Sequence, residues 1–118
     1  MKKIKTIEEA FQITGRPKVD FSIFPEDLRT YFENHYNAVV ITEAINDGWV
    51  ADYSNSKQQK WFPVFYMSPS GFVFHFSYYY GYSYAYAGGA SRLCFETEAA
   101  ADYAGKTFLE IYKGIVLI

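Results

Sequence analysis

From Phe72 to Tyr86 an aromatic residue stands at every second position: Phe72, Phe74, Phe76, Tyr78, Tyr80, Tyr82, Tyr84 and Tyr86. Alternation at period two is the mark of a strand with one apolar face. A single strand of that length would run about 50 Å at roughly 3.3 Å per residue, too far for one domain of 118 residues. The run therefore has to turn, and Gly81 suits a left-handed turn position. A three-residue loop Tyr79-Tyr80-Gly81 pairs Tyr78 with Tyr82, Phe76 with Tyr84 and Phe74 with Tyr86, and keeps the rings on one face. A two-residue loop would split them between faces, so the three-residue loop is preferred. Phe72, Phe74 and Phe76 then read as the core side of a strand, and Tyr79, Tyr80, Tyr82 and Tyr84 as rings near a hairpin tip that is hard to bury.

The segments on either side are helical. Thr6 with Glu9 is a capping box, Ile7, Ala10, Phe11 and Ile13 follow at helical spacing, and Gly15 and Pro17 end the helix. Pro25 suits a first helical position, with Glu26 and Asp27 at the positive end of the dipole. Leu28, Phe32, His35 or Tyr36, Val39 and Ala44 or Ile45 then recur at a period near 3.6, and Gly48 after Asn46-Asp47 supplies the stop. The polar stretch over 52–59 is a loop with turn chemistry at Ser54-Asn55-Ser56. Strands are predicted over 61–67 and 72–78 around the turn Ser68-Pro69-Ser70-Gly71, with Pro63 favouring an edge or a bulge.

After a turn at Gly88-Gly89, 92–95 reads as a short strand, and Thr97 caps a final helix running to about Lys113. Its inward residues are Ala100, Tyr103 or Ala104, Phe108, Ile111 and Ile115, and Ala101, Ala104 and Gly105 suggest a close crossing against the sheet or the long helix. The fold class is α+β: two N-terminal helices, an antiparallel sheet of three or four strands with an aromatic hairpin, and a C-terminal helix packed on the sheet, all in one domain over 1–118. Leu28, Phe32, Val39, Phe74, Leu93, Phe95, Tyr103 and Phe108 are the expected core.

Composition narrows the function classes. Half of the residues are hydrophobic and 21% are aromatic, which argues against disorder. A net charge of −2 gives no general attraction to phosphate backbones. The single cysteine, Cys94, makes no internal disulfide and sits between Leu93 and Phe95 as a buried, inert thiol. The start Met1-Lys2-Lys3 is not followed by the apolar stretch of a signal peptide, and no run could span a bilayer, so the expected location is cytoplasmic. His35, His75 and Cys94 have no metal-ligand spacing, Gly88-Gly89-Ala90-Ser91-Arg92 lacks the lysine and spacing of a phosphate loop, and Glu43 with Asp47 and Glu8 with Glu9 read as surface charge. No metal, no cofactor and no catalytic constellation is expected.

Two segments carry a resemblance. The first is Asn46-Asp47-Gly48-Trp49, Asp52, Asn55, Lys60-Trp61, Pro63 and Phe65; the second is Ser91-Arg92-Leu93-Cys94-Phe95, Ala101, Tyr103-Ala104-Gly105-Lys106, Phe108 and Tyr112. Together they resemble a group of small proteins of gut Bacteroidales and of their phages and mobile elements, over about 28–113. The group has no established activity, so the resemblance implies a phage or mobile-element accessory protein and transfers no catalytic residue. Read as structure, the same residues stop the long helix at Gly48, fold Trp49 back on it, and pair Arg92 with Asp52 or Glu96.

The leading expectation is a non-enzymatic module that binds a protein partner, or itself as a homo-oligomer, through an aromatic surface. The contact candidates are Tyr79, Tyr80, Tyr82 and Tyr84, with Trp49, Trp61 and Arg92. The alternative is a nucleic-acid or carbohydrate binder that stacks ligands on Tyr and Trp, which a basic stripe joining Lys57, Lys60, Arg92 and Lys106 would favour. A small enzyme stands third and would need a pocket with convergent polar groups.

Overall fold

The computed structural model describes residues 1–80 and 91–117. Helix α1 (Ile7–Thr14) begins where the sequence places it: the Glu9 amide donates to Thr6 Oγ1 at 3.2 Å, and Gly15 closes the helix in the left-handed region at φ 68°. A single 3-10 turn, Phe21–Ile23, follows, capped by the Asp20 carboxylate. Helix α2 (Glu26–Asn46) starts after Pro25, which caps it from outside, one residue later than expected. It stops at Asp47, itself left-handed at φ 47°, one residue before Gly48. No helix among the described residues is long and apolar enough to cross a membrane.

Strands β1 (Lys60–Ser68) and β2 (Gly71–Tyr80) form an antiparallel hairpin closed by Pro69-Ser70. From the turn outward Ser68 pairs with Gly71, Met67 with Phe72, Tyr66 with Val73 and Phe65 with Phe74. The register then slips by one residue: Val64 pairs with Phe76, leaving His75 as the extra residue of a bulge. Pairing resumes through Pro63 with Ser77, Phe62 with Tyr78, Trp61 with Tyr79 and Lys60 with Tyr80. Tyr79 and Tyr80 thus continue β2 and do not form the expected loop with Gly81, because β1 starts early enough to give both a backbone partner. The pairings proposed for Tyr82, Tyr84 and Tyr86 lie outside the described residues.

The bulge corrects a second expectation. An extra residue on one strand reverses the alternation beyond it. Phe72 and Phe74 share their face with Ser77 and Tyr79, while Phe76 and Tyr78 point the other way. Phe72 is buried, but Phe76 is 43% exposed and does not belong to the core.

Among the described residues the sheet has two strands, not three or four. The expected strand over 92–95 shrinks to one antiparallel bridge, in which Trp61 and Phe95 exchange both backbone bonds at 3.0 and 2.8 Å. A turn before Phe95 and the cap of the next helix at Thr97 leave room for no more. Residues two apart along a strand point their backbone groups the same way, so Pro63 aims its missing N–H toward that side and costs β2 no bond.

The single expected C-terminal helix is two. Helix α3 (Glu98–Thr107), capped by Thr97 Oγ1, lies across one face of the hairpin; helix α4 (Leu109–Val116) turns away along α2. The break is at Phe108, where ψ is 34°. A straight helix could not follow both the hairpin and α2, and the bend buries Phe108 and Tyr112 together. The crossing is close: a Cβ on Gly105 would stand 2.6 Å from Phe74 Cδ1 and 2.9 Å from Pro63 Cβ.

The core joins Ile4, Ala10, the stretch of α2 from Ala38 to Ile45, Phe72, Phe95, the small residues of α3, Phe108 and Tyr112. Phe95 and Phe108 are buried as expected, while Phe32, Val39, Phe74, Leu93 and Tyr103 are half-buried. Leu28 is 40% exposed and is not core. All buried residues of α2 come from Ala38 onward.

Gly105→Ala should lower the melting temperature even though alanine is the better helix former by about 1 kcal/mol. Overpacking against Phe74 and Pro63 costs about 1–3 kcal/mol and wins. Phe95→Ala should cost about 3–5 kcal/mol, and Leu28→Ala less than about 0.5 kcal/mol. Denaturant melts of the three variants check the assignment.

Candidate functional site

The face of the hairpin turned away from α3 carries Phe62, Val64 and Tyr66 from β1, and Val73, His75, Phe76 and Tyr78 from β2. None of these is an acid, a lysine or an arginine; Lys60, on the same face at the start of β1, is buried under the loop over 52–59. Phe62 is buried; toward the hairpin turn the rings are open, with Tyr66 49% exposed. They form a chain of edge-to-face contacts: Tyr66 to His75 at 4.9 Å, His75 to Phe76 at 4.8 Å and Phe76 to Tyr78 at 6.3 Å between centroids. The positive edge of each ring meets the negative face of the next, which holds the row in one arrangement.

This aromatic surface uses other residues than those named from sequence. Tyr79 lies on the α3 side with its ring 5.0 Å from Trp61, so Trp61 is half-buried and not an open stacking platform. Tyr80 ends β2 opposite Lys60. Tyr82 and Tyr84 fall outside the described residues. Tyr66, His75 and Phe76 were missed because the bulge that turns His75 and Phe76 outward has no signature in an unbroken alternation.

Trp49 and Arg92 are brought together elsewhere. With Val39, Thr42, Glu43, Asn46, Val50 and Ser91 they line a hollow of about 310 Å³ at the C-terminal end of α2. Gly48 lets the chain reverse at φ 97°, and the Trp49 amide returns to Asn46 O at 3.0 Å, so Trp49 does fold back on the helix. Glu43 is gripped by Arg16 through two bonds of 2.9 and 2.7 Å. That hydrogen bonding, aided by the charges of Arg16 and Arg92, holds the Glu43 carboxyl below its ordinary range. Among the described residues the ion pairs are Lys2 with Asp47 and Arg16 with Glu43, so Arg92 pairs with neither Asp52 nor Glu96.

The basic stripe does not form. Lys60 is fully buried: its ammonium donates to Asn55 O at 3.2 Å and Gln58 O at 3.0 Å, and stands 4.8 Å from the centroid of Tyr53. A charge taken out of water needs such partners. Lys60 thereby ties the loop over 52–59 to the first residue of β1. Asp52 and Asn55 shape that loop by accepting the amides of Ser54 and Lys57.

Cys94 is buried behind the Trp61–Phe95 bridge, its Sγ 3.7 Å from Ser91 O. Burial pushes the thiol up to about 11, against smaller pulls from Tyr53 and Lys60. His75, the base it would need, sits on the outer face of the hairpin beside Tyr66 and Phe76. His35 is half-buried next to Tyr31, its Nδ1 without a hydrogen-bond partner. No group of three or more His, Cys, Asp or Glu among the described residues could hold a metal ion. Comparison with protein-family models, with curated proteins and with solved structures yields no match.

Cys94 should react slowly with a thiol reagent in the native protein and rapidly in denaturant. Its ionisation also sets a sign. The unfolded thiol titrates near 9.0 and the folded one near about 11, so above pH 9 the unfolded chain holds fewer protons. Stability should be unaffected by this group below pH 9 and fall as pH rises from 9 to about 11. Melting of Cys94→Ala against wild type across that window should show a shallower decline in the variant.

Proposed function

We propose that this protein is a non-enzymatic interaction module that binds a protein partner, in the first instance a second copy of itself, through the outer aromatic face of the β1–β2 hairpin. The observation that supports this most is the exposed row Tyr66, His75 and Phe76 on a sheet face whose one charged side chain, Lys60, is buried under its own loop. Exposed aromatic clusters are costly on a lone monomer and usually mark a contact surface. These rings bury large area while losing few rotatable bonds. A neutral face meets its own copy without repulsion, and a two-fold axis through it would set Tyr66 and Phe76 of one copy against those of the next. A role as an accessory protein of a phage or mobile element rests on the motif resemblance alone.

Stacking on nucleic acid is the weaker reading. Lys60 is enclosed by its own loop, so the basic stripe that would track a phosphate backbone lacks its central member.

Light scattering over a concentration series should find a monomer–dimer equilibrium. The double variant Tyr66→Ser, Phe76→Ser should weaken it by at least about tenfold, the loss of a single modest hot spot, with the thermal melt of the monomer little changed. A variant that unfolds would make these rings core. A wild type that stays monomeric throughout would remove self-association.

A further inference from the structure

The bulge does more than turn a ring outward. It places a histidine, the side-chain type whose charge changes near neutral pH, inside the aromatic row. His75 is exposed and stands between Tyr66 and Phe76, in edge-to-face contact with both. In a lone chain water can solvate either form of the ring. A two-fold axis that sets Tyr66 and Phe76 against their copies encloses His75 as well, and takes that water away.

No carboxylate on this face answers a charge there. The other titratable side chains of the face are Lys60 and the phenols Tyr66 and Tyr78. Lys60 lies at the start of β1 under the loop over 52–59, which brings Asp52 and Lys57 to that end. Helix α3, with Glu98, Asp102 and Lys106, lies across the opposite face, where Asp102 accepts from Ser77 and Lys106 stands over the Phe74 ring. Helix α4, with Glu110 and Lys113, meets the hairpin on that inner side, through Tyr112 and Phe65. The sequence over 81–90 holds no acid, lysine, arginine or histidine.

We infer that His75 makes self-association through this face pH-dependent: the pair forms while both imidazoles are neutral and comes apart as they take up protons. The inference rests on the self-association reading. A neutral imidazole has one N–H and one bare nitrogen, which the hydroxyl of Tyr66 from the second copy, donor and acceptor alike, can meet. An imidazolium enclosed at the same place is a charge out of water with no counter-charge, and the two-fold axis supplies two of them. The contacts with Tyr66 and Phe76 are present in the lone chain already, so they do not offset that loss. The separate chains therefore hold more protons than the pair, and dissociation is promoted as pH falls.

The test is light scattering over a concentration series at about pH 7.5 and about pH 5.5, which bracket the range where histidine ordinarily gains its charge, with far-UV circular dichroism at both. The wild type should stay folded and pair at least about tenfold more weakly at the lower pH, because each copy then brings an uncompensated charge. His75→Gln and His75→Phe remove the titration, the first keeping a polar group and the second an aromatic ring; at least one should pair equally at both pH values. His35→Gln, which changes the other histidine, half-buried beside Tyr31 on α2, should keep the wild-type pH dependence. The inference is overturned, with self-association left standing, if the wild type pairs equally at both pH values, if the acid loss persists in the His75 variants or disappears in His35→Gln, if neither His75 variant pairs at the higher pH, or if acid unfolds the chain as it separates the pair. A wild type that is already monomeric at the higher pH overturns self-association and this inference with it.

Discussion

The closeness of α3 to the β1–β2 hairpin is the constraint on which the rest of the structure depends. Two strands alone are marginal in water and need a third element over one face. Here that element is a helix whose contact stretch is built from alanines and Gly105, so that Phe74 and Pro63 fit directly against its backbone. Because α3 is committed to the hairpin, the chain has to bend at Phe108 before α4 can reach α2. The two halves of the core meet at that bend, where Tyr112 stacks on Phe65 at 5.0 Å.

With one face of the hairpin assigned to α3, the bulge at His75 decides what the other face shows. Without it, Phe76 would stand with Phe72 and Phe74 against the helices. With it, Ser77 takes the inward place and hydrogen-bonds Asp102 of α3, while Phe76 turns outward to join Tyr66 and His75. A hydroxyl facing the helix and a phenyl ring facing solvent is a costly exchange for a monomer. It becomes favourable once the outer face is covered, which is the physical sense of the proposed interface.

Polar satisfaction sets the contrast at the other end of the molecule. Lys60 is buried and yet fully provided for by loop carbonyls and a tyrosine ring. Asn46 is nearly as buried, but its amide is satisfied at one end only. Arg16 grips Glu43, whose carboxyl also feels the charge of Arg92. Whether a buried polar group is satisfied depends on partners from distant segments, which no residue type reveals by itself.

Much of the local structure was legible in the sequence because it is encoded by neighbours a few residues apart. Thr6, Gly15 and Thr97 cap helices as their chemistry dictates, the Ser68–Gly71 turn sits where expected, and Ala101, Ala104 and Gly105 do mark a close crossing. Trp49 and Arg92, both singled out in the sequence, line one hollow. The errors lie where distant segments compete. Leu28 has helical spacing but no neighbour to cover it, Phe108 bends a helix that reads as continuous, and Lys60 leaves the surface because a loop folds over it. The sequence by itself determined that two strands joined at the Ser68–Gly71 turn would lie between helices, since periodicity and capping are properties of the local chain. Only the tertiary structure decided which rings face outward and which polar groups stay unpaired, since a one-residue slip in strand pairing and the fit of α3 depend on partners far away along the chain.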